Sequence, residues 1–248
     1  MIGIGLSDET DITVKGLEAV KKCSYIYLEN YTSKLGVPVS NLERLYDKKI
    51  ILADRNLVEN KSDDILSKAV KNNVAFLIIG DVFSATTHVD LFLRAKEKKI
   101  NIKVIHNTSI MTAVGQVGLE LYKYGKTTSM SFFEHNFMPE TPYNVVKQNL
   151  KNGLHTLVLL DIKKDQDKYM KVNIALKQFM ELEDMKKGKV FSKNMLVVGC
   201  ARLGSEDSVI KYGKIQELLD YDFGEPLHCL IIPGKLHFME EEMLELWT

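Results

Sequence analysis

Short apolar runs recur along the chain, and between them lie stretches in which apolar positions return every three or four residues. In the first half, "MIGIGL", "SYIYLE", "KKIILAD", "VAFLIIG" and "IKVIH" read as strands. Their Val, Ile and Leu content is near-continuous, as in strands buried on both faces. Between them, "DITVKGLEAVKKC", "SDDILSKAVKN" and "THVDLFLRAKEKK" predict amphipathic helices. Asp11 or Thr13 is placed to cap the first helix, and Ser62 the second, whose opening acids suit the helix dipole. Strands alternating with helices imply a mainly parallel sheet with helices on both faces.

The pattern then restarts. "SIMTAVGQVGLELYKYG" predicts a helix, "TTSMSFF" a strand, "TPYNVVKQNLKNG" a helix and "HTLVLLDI" a strand. "KYMKVNIALKQFMELEDMKKG" is largely helical, "MLVVGCARLG" runs from a strand into a glycine turn, and the chain closes with a strand and a helix. The expected fold is α/β, in two units spanning 1–110 and 111–248, with a cleft between them as the default ligand site.

Composition narrows the partners. The 248 residues carry 33 basic and 33 acidic side chains, so the formal net charge is zero. That speaks against a broad positive field for nucleic acid. The three cysteines, Cys23, Cys200 and Cys229, lie far apart in sequence and outside any C-x-x-C spacing, which predicts reduced thiols in a cytoplasmic protein and no metal framework. The N-terminus turns acidic too soon for a signal peptide, and no apolar run approaches the roughly 20 residues of a membrane helix.

In open α/β sheets, ligands sit beyond the carboxyl ends of the strands. The residues found there are "GLSDETD", "GDVFSATTH", "HNTSI", "LDIKK", "GCARLGSED" and "PGKLH". Asp81, directly after an apolar run, could accept from a ligand hydroxyl or ammonium, or act as a turn acid. Thr86 and Thr87 suit a ligand or a helix N-cap, and His88 the first turn of that helix. His228 opens an apolar strand, where a structural histidine is commoner than a catalytic one. Arg202 suits a carboxylate substrate or a surface ion pair. The glycines of "GIGL" are not followed by the third glycine of a dinucleotide fingerprint. No P-loop, nucleophile elbow or zinc spacing appears either.

Taken in order, "GIGLSDETDITVKGLEAVKKC", "YLENYTS", "GDVFSATTH", "VIHNTSIMTAVGQVGLELYKYG", "HTLVLLDIK", "GCARLG" and "GEPLHCLIIPGKLHFMEEEML" closely resemble diphthine synthases, within the wider tetrapyrrole-methylase class. The resemblance implies two α/β units with a cleft for the methyl donor S-adenosylmethionine, and no metal. By motif it places Leu6, Asp81, Ser84, Ser109, Ile110, Leu160, Leu203 and His228 at the donor. It implies a homodimer, and repeated methylation of the 3-amino-3-carboxypropyl-histidine intermediate on translation elongation factor 2, in diphthamide biosynthesis. Overall similarity favours the eukaryotic-type outcome, amine trimethylation followed by a carboxylate methyl ester. No catalytic base is assigned. The family usually has Pro and Gly where this chain has Val82 and Ser84, and its segment after Lys163 is shorter than in many relatives. Two other readings are a methylase acting on a porphyrin-like ring and a non-catalytic nucleotide-binding adapter. The runs "ATTH", "LLDIK" and "IIPGKLH" argue against the first. Methyl transfer needs no obvious base, which weakens the second. The closing "HFMEEEMLELW" carries an apolar stripe that suits either its own sheet or a partner.

Overall fold

Four of the five apolar runs of the first half form one wholly parallel sheet. In the computed structural model, which describes residues 1–134 and 137–248, the chain divides into Met1–Ala113 and Val114–Thr248. The first unit contains β1 (Ile2–Gly3), α1 (Val14–Lys21), β2 (Tyr25–Glu29), α2 (Val39–Tyr46), β3 (Ile51–Ala53), α3 (Asp63–Ala69), β4 (Val74–Ile78), α4 (Val89–Glu97) and the short α5 (Ile110–Ala113). The strand order is β1-β4-β2-β3. Alternate residues of one strand serve opposite faces. Ile26, Leu28, Ala75 and Leu77 pack with Val20 of α1 and with Leu42 and Tyr46 of α2. Tyr27, Phe76 and Ile78 pack with Ile65 and Leu66 of α3 and with Leu91 and Ala95 of α4. Each face therefore has its own core, which is why these strands carry no polar alternation.

The capping expectations divide. Thr13 caps α1, its Oγ1 accepting from Gly16 N at 3.0 Å. Asp11 accepts instead from the amides of Leu6 and Ser7. Ser62 precedes α3 but makes no cap bond, because its backbone is already helical and its hydroxyl accepts from Arg94. "IKVIH" forms no strand. Ile105 alone bridges to Ile2, and its carbonyl accepts from Gly3 N at 2.9 Å. Helix α2 is absent from the sequence-based expectations, although Val39, Leu42, Leu45 and Tyr46 recur along it at helical spacing.

The second unit contains β5 (Thr128–Met130), α6 (Thr141–Lys151), β6 (Thr156–Leu160), the small hairpin β7 (Ile162–Lys163) and β8 (Lys168–Tyr169), α7 (Val172–Lys186), β9 (Leu196–Ala201), β10 (Val209–Lys214), α8 (Ile215–Leu218), β11 (His228–Ile232) and α9 (Phe238–Glu245). Its main sheet runs β10-β9-β11-β6-β5. Only β5 and β6 are parallel there; the other three pairings are antiparallel. The long helix expected after Ser109 is instead α5 followed by two turns of 3-10 helix. Gly118 ends it, with φ at +96° and Met243 packed where a Cβ would stand. Trp247 Nε1 donates to Val117 O at 3.0 Å and holds that turn. In α9, Leu244 and Glu240 face inward while Phe238 and Met239, with Leu246 just beyond the helix, are exposed, so half of the closing apolar stripe does not pack on its own unit.

Candidate active site

At the carboxyl ends of β1 and β4, three glycines bring two chain segments into contact. Gly5 and Gly80 form an antiparallel bridge, both with positive φ. A Cβ on Gly3 would stand 2.6 Å from Gly80 O, too close for any side chain. The glycines of "GIGL" thus serve main-chain approach, and no dinucleotide turn is present.

Behind this bridge, Asp81 organises three segments. Its Oδ2 accepts from Phe83 N at 3.2 Å and Ser84 Oγ at 3.3 Å. Its Oδ1 accepts from Asn107 N at 3.0 Å and faces His106 Nδ1 at 2.9 Å. Burial alone would raise its pKa, but the amides of Asn107 and Phe83, with His106, outweigh it and hold the carboxyl below its ordinary range. Asn107 Nδ2 in turn donates to Gly3 O at 3.1 Å and Asp11 O at 3.0 Å. Ser109 is buried and caps α5, its Oγ accepting from Met111 N at 3.2 Å. The Cβ position of Gly80 lies 3.7 Å from Leu6 Cδ2 and 3.8 Å from Ser109 Cα. Leu6, Asp81, Ser84, Ser109 and Ile110 therefore belong to one end of the first unit, with Leu6, Ser84 and Ile110 partly exposed.

In the second unit, Leu160, Leu203 and His228 also gather, at the ends of the neighbouring interior strands β6, β9 and β11. His228 pairs with Ala201, two residues before Leu203, and Cys229 with Leu159. One register step further sets Leu160 opposite His228. His228 is buried, and both ring nitrogens are engaged by the main chain. Nε2 donates to Glu225 O at 3.0 Å, and Nδ1 accepts from Val172 N at 3.4 Å. Burial pushes its pKa below the ordinary histidine value, so the ring is a neutral strut at neutral pH. Arg202 braces its own turn, with Nε 2.6 Å from Asp207 Oδ2 and NH1 donating to the carbonyls of Phe223 and Glu225.

Residues 1–219 match the model of the tetrapyrrole (corrin/porphyrin) methylases. The chain belongs to that family. It is 48% identical over 262 residues to a diphthine methyl ester synthase of Dictyostelium discoideum, covering 99% of this chain and 96% of the relative. It is also 48% identical over 248 residues to a diphthine synthase of Methanocaldococcus jannaschii, again covering 99% and 96%. A solved structure from Entamoeba histolytica, provisionally assigned as a diphthine synthase, superposes with a TM-score of 0.93 at 45% identity, covering 99% of this chain and 96% of that one.

For a methylase of this family, the arrangement separates residues that are free for a ligand from those that are not. Asp81, Ser109, His228 and Arg202 are committed to main-chain partners. Leu6 and Ile110 are partly exposed, while Leu160 and Leu203 are largely buried. Thr86 is not a cap, since its hydroxyl donates to Val82 O at 3.1 Å. His88 is the N-cap residue of α4 but makes no cap bond. It is 1% exposed, and burial lowers its pKa against the pull of Glu29 and Glu59. The sequence offers no site role for His106 or Asn107, and for Asp11 only that of a helix cap. Their signal was present in "HNTSI" and "SDETD", but pairing them with Asp81 and "GIGL" takes the sheet order. A groove of about 840 Å³ lies at the opposite, amino-terminal end of the first sheet, lined by Met1, Ser24 and Asn73 among others, away from all of these residues. Among the described residues, no group of three acidic, histidine or cysteine side chains could hold a metal.

Proposed function

We propose that the chain transfers methyl groups from S-adenosylmethionine to the 3-amino-3-carboxypropyl-histidine intermediate on translation elongation factor 2, in diphthamide biosynthesis. The observation that carries this reading is the whole-length match to a diphthine methyl ester synthase, 48% identical across 99% of this chain. Relatives named for the ester product and for diphthine alone are equally similar. On this reading the amine is methylated repeatedly, and a carboxylate ester follows.

The residues of the first unit fit such a donor. The glycine-lined end offers main-chain groups beside the partly exposed Leu6 and Ile110, suited to a flat apolar ring read by backbone hydrogen bonds. S-adenosylmethionine, when bound, supplies an electrophilic methyl group on a sulfonium. Leu6 and Ile110 would hold the donor by apolar contact. Asp81 and Ser109 would fix the loops that carry the binding groups, and Ser84 would add a hydroxyl at the turn. In the second unit, Leu160 and Leu203 would supply apolar contact, with His228 holding the start of β11. Alignment of the acceptor amine supplies much of the acceleration in such a transfer.

We further propose a homodimer acting in the cytoplasm, with elongation factor 2 as its protein partner, and neither metal nor nucleic acid required. Exposed Phe238 and Met239 on α9, and Leu246 just after it, support a contact with a second copy. Among the described residues, no helix is long and apolar enough to cross a membrane. Incubating the chain with the donor and the unmethylated factor, and weighing the factor, tests the reading.

A further inference from the structure

His106 differs from the buried His88 and His228 in being largely exposed while one ring nitrogen meets a buried carboxylate. Its side chain is 68% exposed, whereas the Asp81 carboxylate that receives it is 10% exposed. The contact is 2.9 Å, between Nδ1 and Oδ1. Asp81 also accepts from two main-chain amides and Ser84 Oγ, so its position is fixed independently of the histidine. Its lowered pKa, set by those amides against the burial that opposes them, keeps it ionised and an acceptor at neutral pH. An acceptor at Oδ1 requires the hydrogen on Nδ1 and leaves the lone pair on Nε2. Phe83 stands edge-on to the ring at 6.5 Å, and Asp81 is the charged group facing it. An exposed imidazole held in one tautomer by a buried carboxylate is the arrangement of a general base with its orienting group.

We propose that Nε2 of His106 removes the proton from the acceptor nitrogen between successive methyl transfers, with Asp81 as its positioning residue. The inference rests on the function proposed above and deepens it. Each methylation of an amine leaves an ammonium, which has no lone pair. Before another attack, one N–H bond must break, its electron pair remaining on nitrogen and its proton binding the Nε2 lone pair of His106. The imidazolium then releases that proton to water through its exposed edge, restoring the base. The cycle ends when the nitrogen carries no hydrogen. His106 adjoins the segment that carries Ser109 and Ile110, and it bonds Asp81, so it sits at the proposed donor end.

The test compares the unmodified chain with His106→Asn, whose amide can still donate to Asp81 but holds no basic nitrogen. The readouts are donor affinity by calorimetry, the pH profile of turnover, and the mass distribution of elongation factor 2 at partial conversion. We expect donor affinity within about threefold, turnover lower by about tenfold or more, a pH profile of altered shape, and accumulation of singly methylated factor. Nitrogen NMR of ring-labelled protein, with His106 assigned by its loss in the variant, should show the Nδ1–H tautomer. Unchanged turnover and product distribution would overturn the proposal, as would an Nε2–H tautomer or a loss of donor affinity that tracks the rate. No turnover by the unmodified chain would overturn the function reading, and this inference with it.

Discussion

Gly5 and Gly80 face each other through their main chains, Gly80 N donating to Gly5 O at 2.6 Å and Gly5 N to Gly80 O at 3.3 Å. This bridge fixes where β1 and β4 stop, and so where Leu6 and Asp81 stand. Gly5→Ala should therefore damage both stability and donor binding. Its φ of +82° disfavours any side chain, and a Cβ there would overlap Asp11. The strain of a left-handed alanine alone is about 1–2 kcal/mol, and the overlap adds about 1–3 kcal/mol. Thermal unfolding should show a fall of at least about 2 kcal/mol.

The first unit was largely legible because its strands and helices follow hydrophobic periodicity. Buried runs such as "VAFLIIG" and the stripes of α1, α3 and α4 declare themselves. The second unit was less so. Its sheet is mixed, and whether β11 pairs parallel or antiparallel with β6 depends on contacts far apart in sequence. The helix expected after Ser109 failed because Gly118 and the Trp247 anchor break it, and the anchor lies 130 residues away. At the site, Asp81 was visible as a residue, but its saturation by Phe83, Ser84, His106 and Asn107 was not.

That saturation changes what Asp81→Ala should do. Four donors lose their acceptor at once, two of them amides, so the turn after β4 and the 106–109 segment come apart. Donor affinity should fall at least about tenfold, and stability should fall by about 1–3 kcal/mol. Ser84→Ala removes only a long bond of 3.3 Å and should change donor affinity by less than about threefold. Calorimetry on both proteins separates an organising Asp81 from a turn acid of no consequence.

His228 should prove a strut and no proton carrier. Both its nitrogens are engaged, by Glu225 O and Val172 N. His228→Gln should lower the unfolding temperature but leave the shape of the pH–rate profile unchanged. A lost limb in that profile would give the ring a role in proton transfer.

Stability should fall on acidification in two stages. His88, His155 and His228 are buried, and burial lowers the pKa of each. The unfolded chain therefore takes up their protons first, and stability declines as pH falls below about 6.5. Glu240 governs the second stage. Burial alone would raise its pKa, but Lys123 and the amides of Glu120 and His237, with His155, outweigh burial and hold it at about 2. Its contribution is present above the ordinary value of 4.5 and is lost as pH falls towards 2. Between those limits it amounts to about 3 kcal/mol. Urea unfolding of Glu240→Gln should show lower stability at neutral pH and a flatter decline below pH 4.5 than the unmodified chain.

The central claim is the reaction itself. The most direct measurement is the intact mass of elongation factor 2 carrying the unmethylated 3-amino-3-carboxypropyl-histidine, after incubation with the chain and S-adenosylmethionine. Successive additions of one methyl group each, confined to that histidine and absent when the donor is omitted, are predicted. A factor whose mass does not change, in the presence of folded chain that binds the donor, would contradict the account.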